Sequence, residues 1–210
     1  MIFQEPDLSW SEAGVRFGEG MSFVPMPGIG VLRLCVASRR CVVDRHLGRG
    51  IVLDTVLKRV DAQLDSSLER LFQFLRIPSI STDPAYAADC RRAAEFAAGI
   101  LTGLGLEAKV YDTAGHPVVL GRTDTGAARR VLFYGHYDVQ PVDPLDLWNS
   151  PPFEPRMAQD EAGRRRIVAR GACDDKGQVF TFLEALRALK DETGRLPLDV
   201  TVLLLSLIHI

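Results

Sequence analysis

From Leu53 onward, apolar residues change period several times, and this restricts the chain to few architectures. Val56, Val60, Leu64, Leu68, Leu71, Phe72 and Leu75 recur at three- and four-residue spacing, the mark of an amphipathic helix. Pro78 stops it, and Ser79-Ile80-Ser81 makes a polar exit. A second helix is expected from about Ala85 to Leu104, with Ala88, Ala93, Phe96, Ala97, Ile100, Leu101 and Leu104 on its apolar side and Gly103 and Gly105 at its end. Strand patterns follow at Glu107–Tyr111, Pro117–Gly121 and Arg130–Tyr134. Ile167–Ala169 reads as one arm of a hairpin turning at Asp160-Glu161-Ala162-Gly163. A third helix spans about Lys176 to Lys190, and Asp199–Leu205 is the next buried strand. Helices alternating with apolar strands predict an α/β fold, a mainly parallel central sheet flanked by helices.

Met1 to about Val52 differs in texture. Glycines, prolines and arginines interrupt every apolar run, and only Val31–Val36 reads as a short strand. The segment is expected to be an N-terminal extension or translated upstream sequence, since Val52 or Leu53 can mark an alternative start.

The net charge of −2 on 210 residues gives no electrostatic reason to expect nucleic acid or an anionic membrane as partner. No apolar run reaches the length of a membrane span. The early residues Glu5, Asp7 and Glu12 stand where a secretory leader carries basic and apolar residues. Cys35, Cys41, Cys90 and Cys173 form no CxxC pair, so they read as packed thiols of a reducing compartment, and the protein is expected to be cytoplasmic.

Chemistry concentrates in two places. Tyr134-Gly135-His136-Tyr137-Asp138 ends a strand, where open α/β sheets bind their ligands. A metal-ligating imidazole needs its other nitrogen held, and Asp138 can do that if the backbone turns. Taken alone, His136 is more often a satisfied histidine than a ligand. Arg170-Gly171-Ala172-Cys173-Asp174-Asp175-Lys176-Gly177 opens the third helix. Aspartates there have an ordinary use in capping N–H groups, which suits Asp175. The full run suggests instead a tight loop holding a carboxylate in place. Cys173 is expected to be a packed small residue.

Together with Gln140-Pro141-Val142 and the Trp148–Pro155 run, these groups resemble the zinc metallopeptidase family of dipeptidases, carnosinases, acetylornithine deacetylase and succinyl-diaminopimelate desuccinylase. The three runs are most similar to the dipeptidase and carnosinase branch, over about Leu53 to Leu204. The resemblance implies a di-zinc exopeptidase-like α/β domain, present here as the N-terminal part of a catalytic domain and so truncated. It implies that His136 binds one of two zinc ions, that Asp174 bridges both, and that Asp138 orients His136 and serves catalysis. Cobalt or manganese are alternative metals. The loop Asp143–Pro155 would wall the substrate cleft. His46 and His116 match no ligand position. The implied reaction is hydrolysis of a dipeptide or, alternatively, of an N-acyl amino acid. The family pattern continues with a Glu-Glu pair supplying base and ligand, and with a lid domain through which the full-length protein would form a homodimer. Neither occurs here, so a non-catalytic scaffold is the rival reading. The ending Leu205-Ser206-Leu207-Ile208-His209-Ile210 matches a translated transposon-end adapter of the kind used to fragment DNA, so His209 is not counted as a ligand. Residues 53–205 are taken as the domain and 205–210 as its tail.

Overall fold

The structure is a computed structural model that describes residues 53–206. The expectations for Met1–Val52, including the strand at Val31–Val36 and His46, and for Leu207–Ile210, including His209, lie outside the described residues.

The first helical pattern becomes two helices, α1 (Leu53–Ala62) and α2 (Leu64–Leu75), parted at Gln63, which leaves helical geometry at φ −100°, ψ 6°. Packing explains the break. α2 inserts Leu71, Phe74 and Leu75 into the core, whereas α1 buries only Val56 and leaves Leu53, Leu57 and Val60 largely exposed. α1 is tied to the helix Lys176–Thr193, where Arg59 donates to Glu192 at 2.9 Å and Gln63 to Asp191 at 3.1 Å, and α2 is tied to the same helix by Arg70 donating to Glu184. After Pro78, Asp83 accepts the Ala85 N–H and starts a 3-10 turn at Pro84–Tyr86. That turn feeds α3 (Ala87–Gly103), whose small side chains Ala93, Ala94 and Ala97 allow close packing.

The strands are β1 (Glu107–Tyr111), β2 (Val118–Arg122), β3 (Arg130–His136), the hairpin β4 (Arg156–Gln159) and β5 (Arg165–Val168), and β6 (Asp199–Leu205). α4 (Lys176–Thr193) precedes β6. β4 and β5 form their own two-stranded sheet, while the main sheet runs β1-β2-β6-β3. β3 and β6 pair in parallel, from Arg130 opposite Asp199 to His136 opposite Leu205, with α4 in the crossover that a parallel pair requires. The other two pairs, β1–β2 and β2–β6, are antiparallel. The α/β class therefore matches the expectation, but the four described strands make a mixed sheet where a mainly parallel one was expected. The link between β1 and β2 is too short for a crossover, so those strands must fold back as a hairpin.

β6 is paired on both sides, and its alternate residues Val200, Val202 and Leu204 are fully buried against Leu101, Val179 and Leu183 of the helices. Phe133 stacks on Phe182 of α4 with centroids 4.1 Å apart. On the opposite face of β3, Leu132 and Tyr134 are exposed.

The fully buried Lys176 joins this core to the loop before α4. Its Nζ donates to the carbonyl oxygens of Phe74 at 3.0 Å and Ile77 at 2.7 Å, and lies 4.8 Å from the Phe74 ring centroid. The ammonium thereby caps the carbonyl end of α2. Burial pulls its pKa down from 10.5 to about 7. The unfolded chain therefore binds more protons across that window, so stability rises with pH from about 7 to 10.5. Replacing Lys176 by Met removes the Nζ donor from both carbonyls, leaving Phe74 O the Ile77 N–H, and should cost about 2 kcal/mol. The replacement should also remove the rise in stability between those pH values. Urea unfolding followed by circular dichroism checks both.

Candidate metal centre

The segment leaving β3 is held tightly. Tyr137 N–H donates to Leu205 O, Val139 N–H donates to Ser79 O, and the Ser79 hydroxyl donates to Tyr137 O. The Tyr137 ring is fully buried, with its hydroxyl donating to Pro117 O at 2.5 Å. This anchoring turns the backbone so that His136 and Asp138 face each other.

His136 Nδ1 lies 3.0 Å from Asp138 Oδ1 and 3.2 Å from Asp138 O, both acceptors, so Nδ1 carries a proton. Asp138 is buried, and its other oxygen accepts from the Ser206 hydroxyl at 2.9 Å. On the far side of the ring, His136 Nε2 lies 3.1 Å from Asp174 Oδ1. The structure thus brings together His136, Asp138 and Asp174. Asp138 touches the inner nitrogen and Asp174 the outer one, and the Asp174 side chain is 73% exposed.

Two residues depart from the sequence reading. Asp175 stands at the N-cap of α4, yet its side chain caps no helix N–H. Its Oδ2 accepts instead from the backbone N–H of His136 at 2.9 Å. Cys173, expected to be packed, is exposed. Cys90 is buried, and burial raises its thiol to about 11. His116, which matched no ligand position, is half-buried with Nε2 2.8 Å from Ser81 O. Ser206 carried no signal in the sequence and was grouped with the tail.

The loop from Pro141 to Pro155 is tied to the Arg170 end of the second motif. Arg170 donates to Pro141 O from its guanidinium and to Pro152 O from its backbone, each at 2.8 Å. Its guanidinium carbon sits 5.2 Å from the Trp148 ring centroid, and Trp148 donates to Val142 O.

Electrostatically, burial pulls the His136 imidazole down. The Asp138 hydrogen bond and charge, the Asp175 charge and the Asp174 hydrogen bond outweigh it, so the pKa stands above the ordinary 6.5. Burial pushes the Asp175 carboxyl up, against the hydrogen bond from His136 N–H. With acceptors at both nitrogens, the metal-free ring favours the imidazolium. A divalent cation at Nε2 would answer the same two groups.

The donor chemistry fits such an ion in part. An imidazole whose inner nitrogen is fixed by a buried carboxylate, next to an exposed carboxylate, is the arrangement zinc and similar metals favour. Catalytic zinc takes three protein ligands, and among the described residues no group of three or more His, Cys, Asp or Glu is placed to hold a metal.

Residues 132–206, which run from β3 to Ser206, match peptidase family M20/M25/M40. That stretch is similar to the M20 peptidases. The chain is 32% identical over 150 residues to the Cys-Gly metallodipeptidase dug1 of Schizosaccharomyces pombe, covering 66% of this chain and 31% of the relative. It is 41% identical over 86 residues to the succinyl-diaminopimelate desuccinylase of Delftia acidovorans, covering 40% of this chain and 21% of that one. Among solved structures, human carnosine dipeptidase 1 superposes with a TM-score of 0.65 at 26% identity, over 73% of this chain and 34% of that one. The chain therefore spans about a third of the length of the dipeptidases it matches. The M20 stretch carries the His136, Asp138 and Asp174 cluster within an α/β domain, and among the described residues no helix is long and apolar enough to cross a membrane.

The His136 cluster makes a prediction about protons. In the metal-free chain His136 should titrate above 6.5, and Asp138→Asn, which removes the adjacent counter-charge, should lower its midpoint. Because the folded value is raised, the protonated ring stabilises the fold fully below about 6.5, and that contribution fades as pH rises through the raised value. Histidine side-chain NMR over a pH series measures the shift.

Proposed function

We propose that this chain supplies the first metal-binding part of a zinc-dependent dipeptidase. The observation that carries the reading is the His136 ring, held by Asp138 on one nitrogen and facing Asp174 on the other. In this reading His136 and Asp174 would hold zinc, Asp174 serving as a carboxylate that a second ion could share in a complete site. Zinc held there would supply polarisation of a scissile carbonyl and a bound water whose pKa is lowered towards 7. Asp138 keeps the His136 proton on Nδ1, so that Nε2 presents its lone pair, and its buried charge balances the cation. The ties from Arg170 to Pro141 and Pro152 hold the Trp148 loop as one wall of the cleft.

The substrate is proposed to be a dipeptide, as the relatives' names suggest. The matching desuccinylase supports an N-acyl amino acid as the second reading. No Glu-Glu pair occurs in the sequence, so the base that would activate water is not supplied by this chain, and turnover by the chain alone is not expected. Cytoplasmic placement and pairing of the complete protein through a lid domain belong to the same proposal.

Zinc titration against a chromophoric chelator tests the reading. The 210-residue chain should bind less than one zinc weakly, and His136→Ala or Asp174→Ala should abolish that binding. Binding indifferent to both variants, or two firmly held ions, would contradict it. A panel of dipeptides and N-acyl amino acids, given to a full-length protein carrying this segment, then separates the two substrate classes.

A further inference from the structure

We propose that Asp175 is a positioning residue of this site. Its carboxylate grips the backbone of His136 and thereby sets the imidazole against Asp174. The inference rests on the reading of His136 and Asp174 as metal ligands, and concerns a neighbour that need not touch the metal.

An aspartate at an N-cap ordinarily accepts from the second or third N–H of its own helix. Asp175 gives up that role: its side chain caps nothing in α4 and accepts the His136 N–H at 2.9 Å. The bond links the end of β3 to the loop before α4, and so ties the two motifs together within one residue of each ligand. Asp174 is the chain neighbour of Asp175, and most of its side chain is in solvent. The grip adds a direct tie from this loop to the His136 backbone.

Two glycines make room for this contact. A Cβ on Gly135 would lie 2.9 Å from Asp175 Oδ2 and 2.7 Å from Val179 Cγ2, so a side chain there would push α4 and its N-cap away from β3. A Cβ on Gly177 would lie 2.0 Å from Ala172 O, so the loop closes on itself only with glycine at that place. Lys176, fixed to the carbonyls of α2, anchors the loop from below. Asp175 is therefore aimed by rigid neighbours on both sides.

What the contact requires is an oxygen acceptor at a fixed reach. A carboxamide offers the same oxygen without the charge. A glutamate offers the charge one methylene too far. The two substitutions separate geometry from electrostatics.

The test uses the full chain and the variants Asp175→Asn, Asp175→Glu and Asp175→Ala, with two readouts. The first is hydrogen exchange of the His136 amide in metal-free protein, followed by NMR, with the Tyr137 amide as internal control because it bonds to Leu205 O. The second is zinc affinity by chelator competition. Asp175→Asn should keep both within about threefold of the parent, whereas Asp175→Glu and Asp175→Ala should speed exchange at His136 alone and weaken zinc by about tenfold, the range for losing a group that orients a ligand. Affinity kept by Glu and lost by Asn would overturn the proposal in favour of charge, as would an Asn variant that does not fold. An Ala variant identical to the parent would overturn it outright. If Ala fails to fold, the Asn and Glu pair still decides. If the parent binds no zinc, the metal reading fails, and the exchange order alone decides whether Asp175 positions His136.

Discussion

The contact between His136 Nδ1 and the buried carboxylate of Asp138 governs what this domain can do. A histidine at a strand end is free to turn, to choose either tautomer and to bond with water. Here the inner nitrogen is committed at 3.0 Å to an acceptor that is itself held by Ser206. One proton is thus fixed on Nδ1, and the outer nitrogen faces Asp174. Burying Asp138 is costly unless it is paired, and the imidazole and the serine hydroxyl supply that pairing. Its charge in turn makes the site attractive to a cation.

The fold delivers this contact through the parallel pairing of β3 with β6. That register sets His136 opposite Leu205, which brings Ser206 to Asp138. The crossover helix α4 begins beside the same strand end, so the residues before it meet His136 from the other side. Burial of Val200, Val202 and Leu204 against the helices fixes the height of β6, and with it the site. The core and the candidate metal centre share these elements, so large substitutions in β6 should disturb both.

Much of this was legible in the sequence. The helix and strand patterns anticipated most elements, with α3, α4 and β6 near their observed bounds, because long periodic runs reflect burial directly. The split at Gln63 was not legible: the apolar spacing continues through it, and the bonds from Arg59 to Glu192 and from Gln63 to Asp191 join residues far apart in the chain. The mixed sheet was hidden because period alone does not give strand direction. The motifs pointed to His136, Asp138 and Asp174, and the structure puts them in contact. They did not reveal where Asp175 would turn, because a helix cap and a grip on a neighbouring strand use the same residue at the same place. Nor could they reveal Ser206 or the buried ammonium of Lys176, whose partners lie far away in the chain.

The most direct test of the account is a nitrogen-15 NMR spectrum of the histidine side chains as zinc or cadmium is added. The account predicts that His136 Nε2 shifts, or couples to cadmium, while Nδ1 keeps its proton, with His116 unchanged. A metal seen at Nδ1, or at His116 instead, would contradict it, because Asp138 would then not be setting the tautomer that the site depends on.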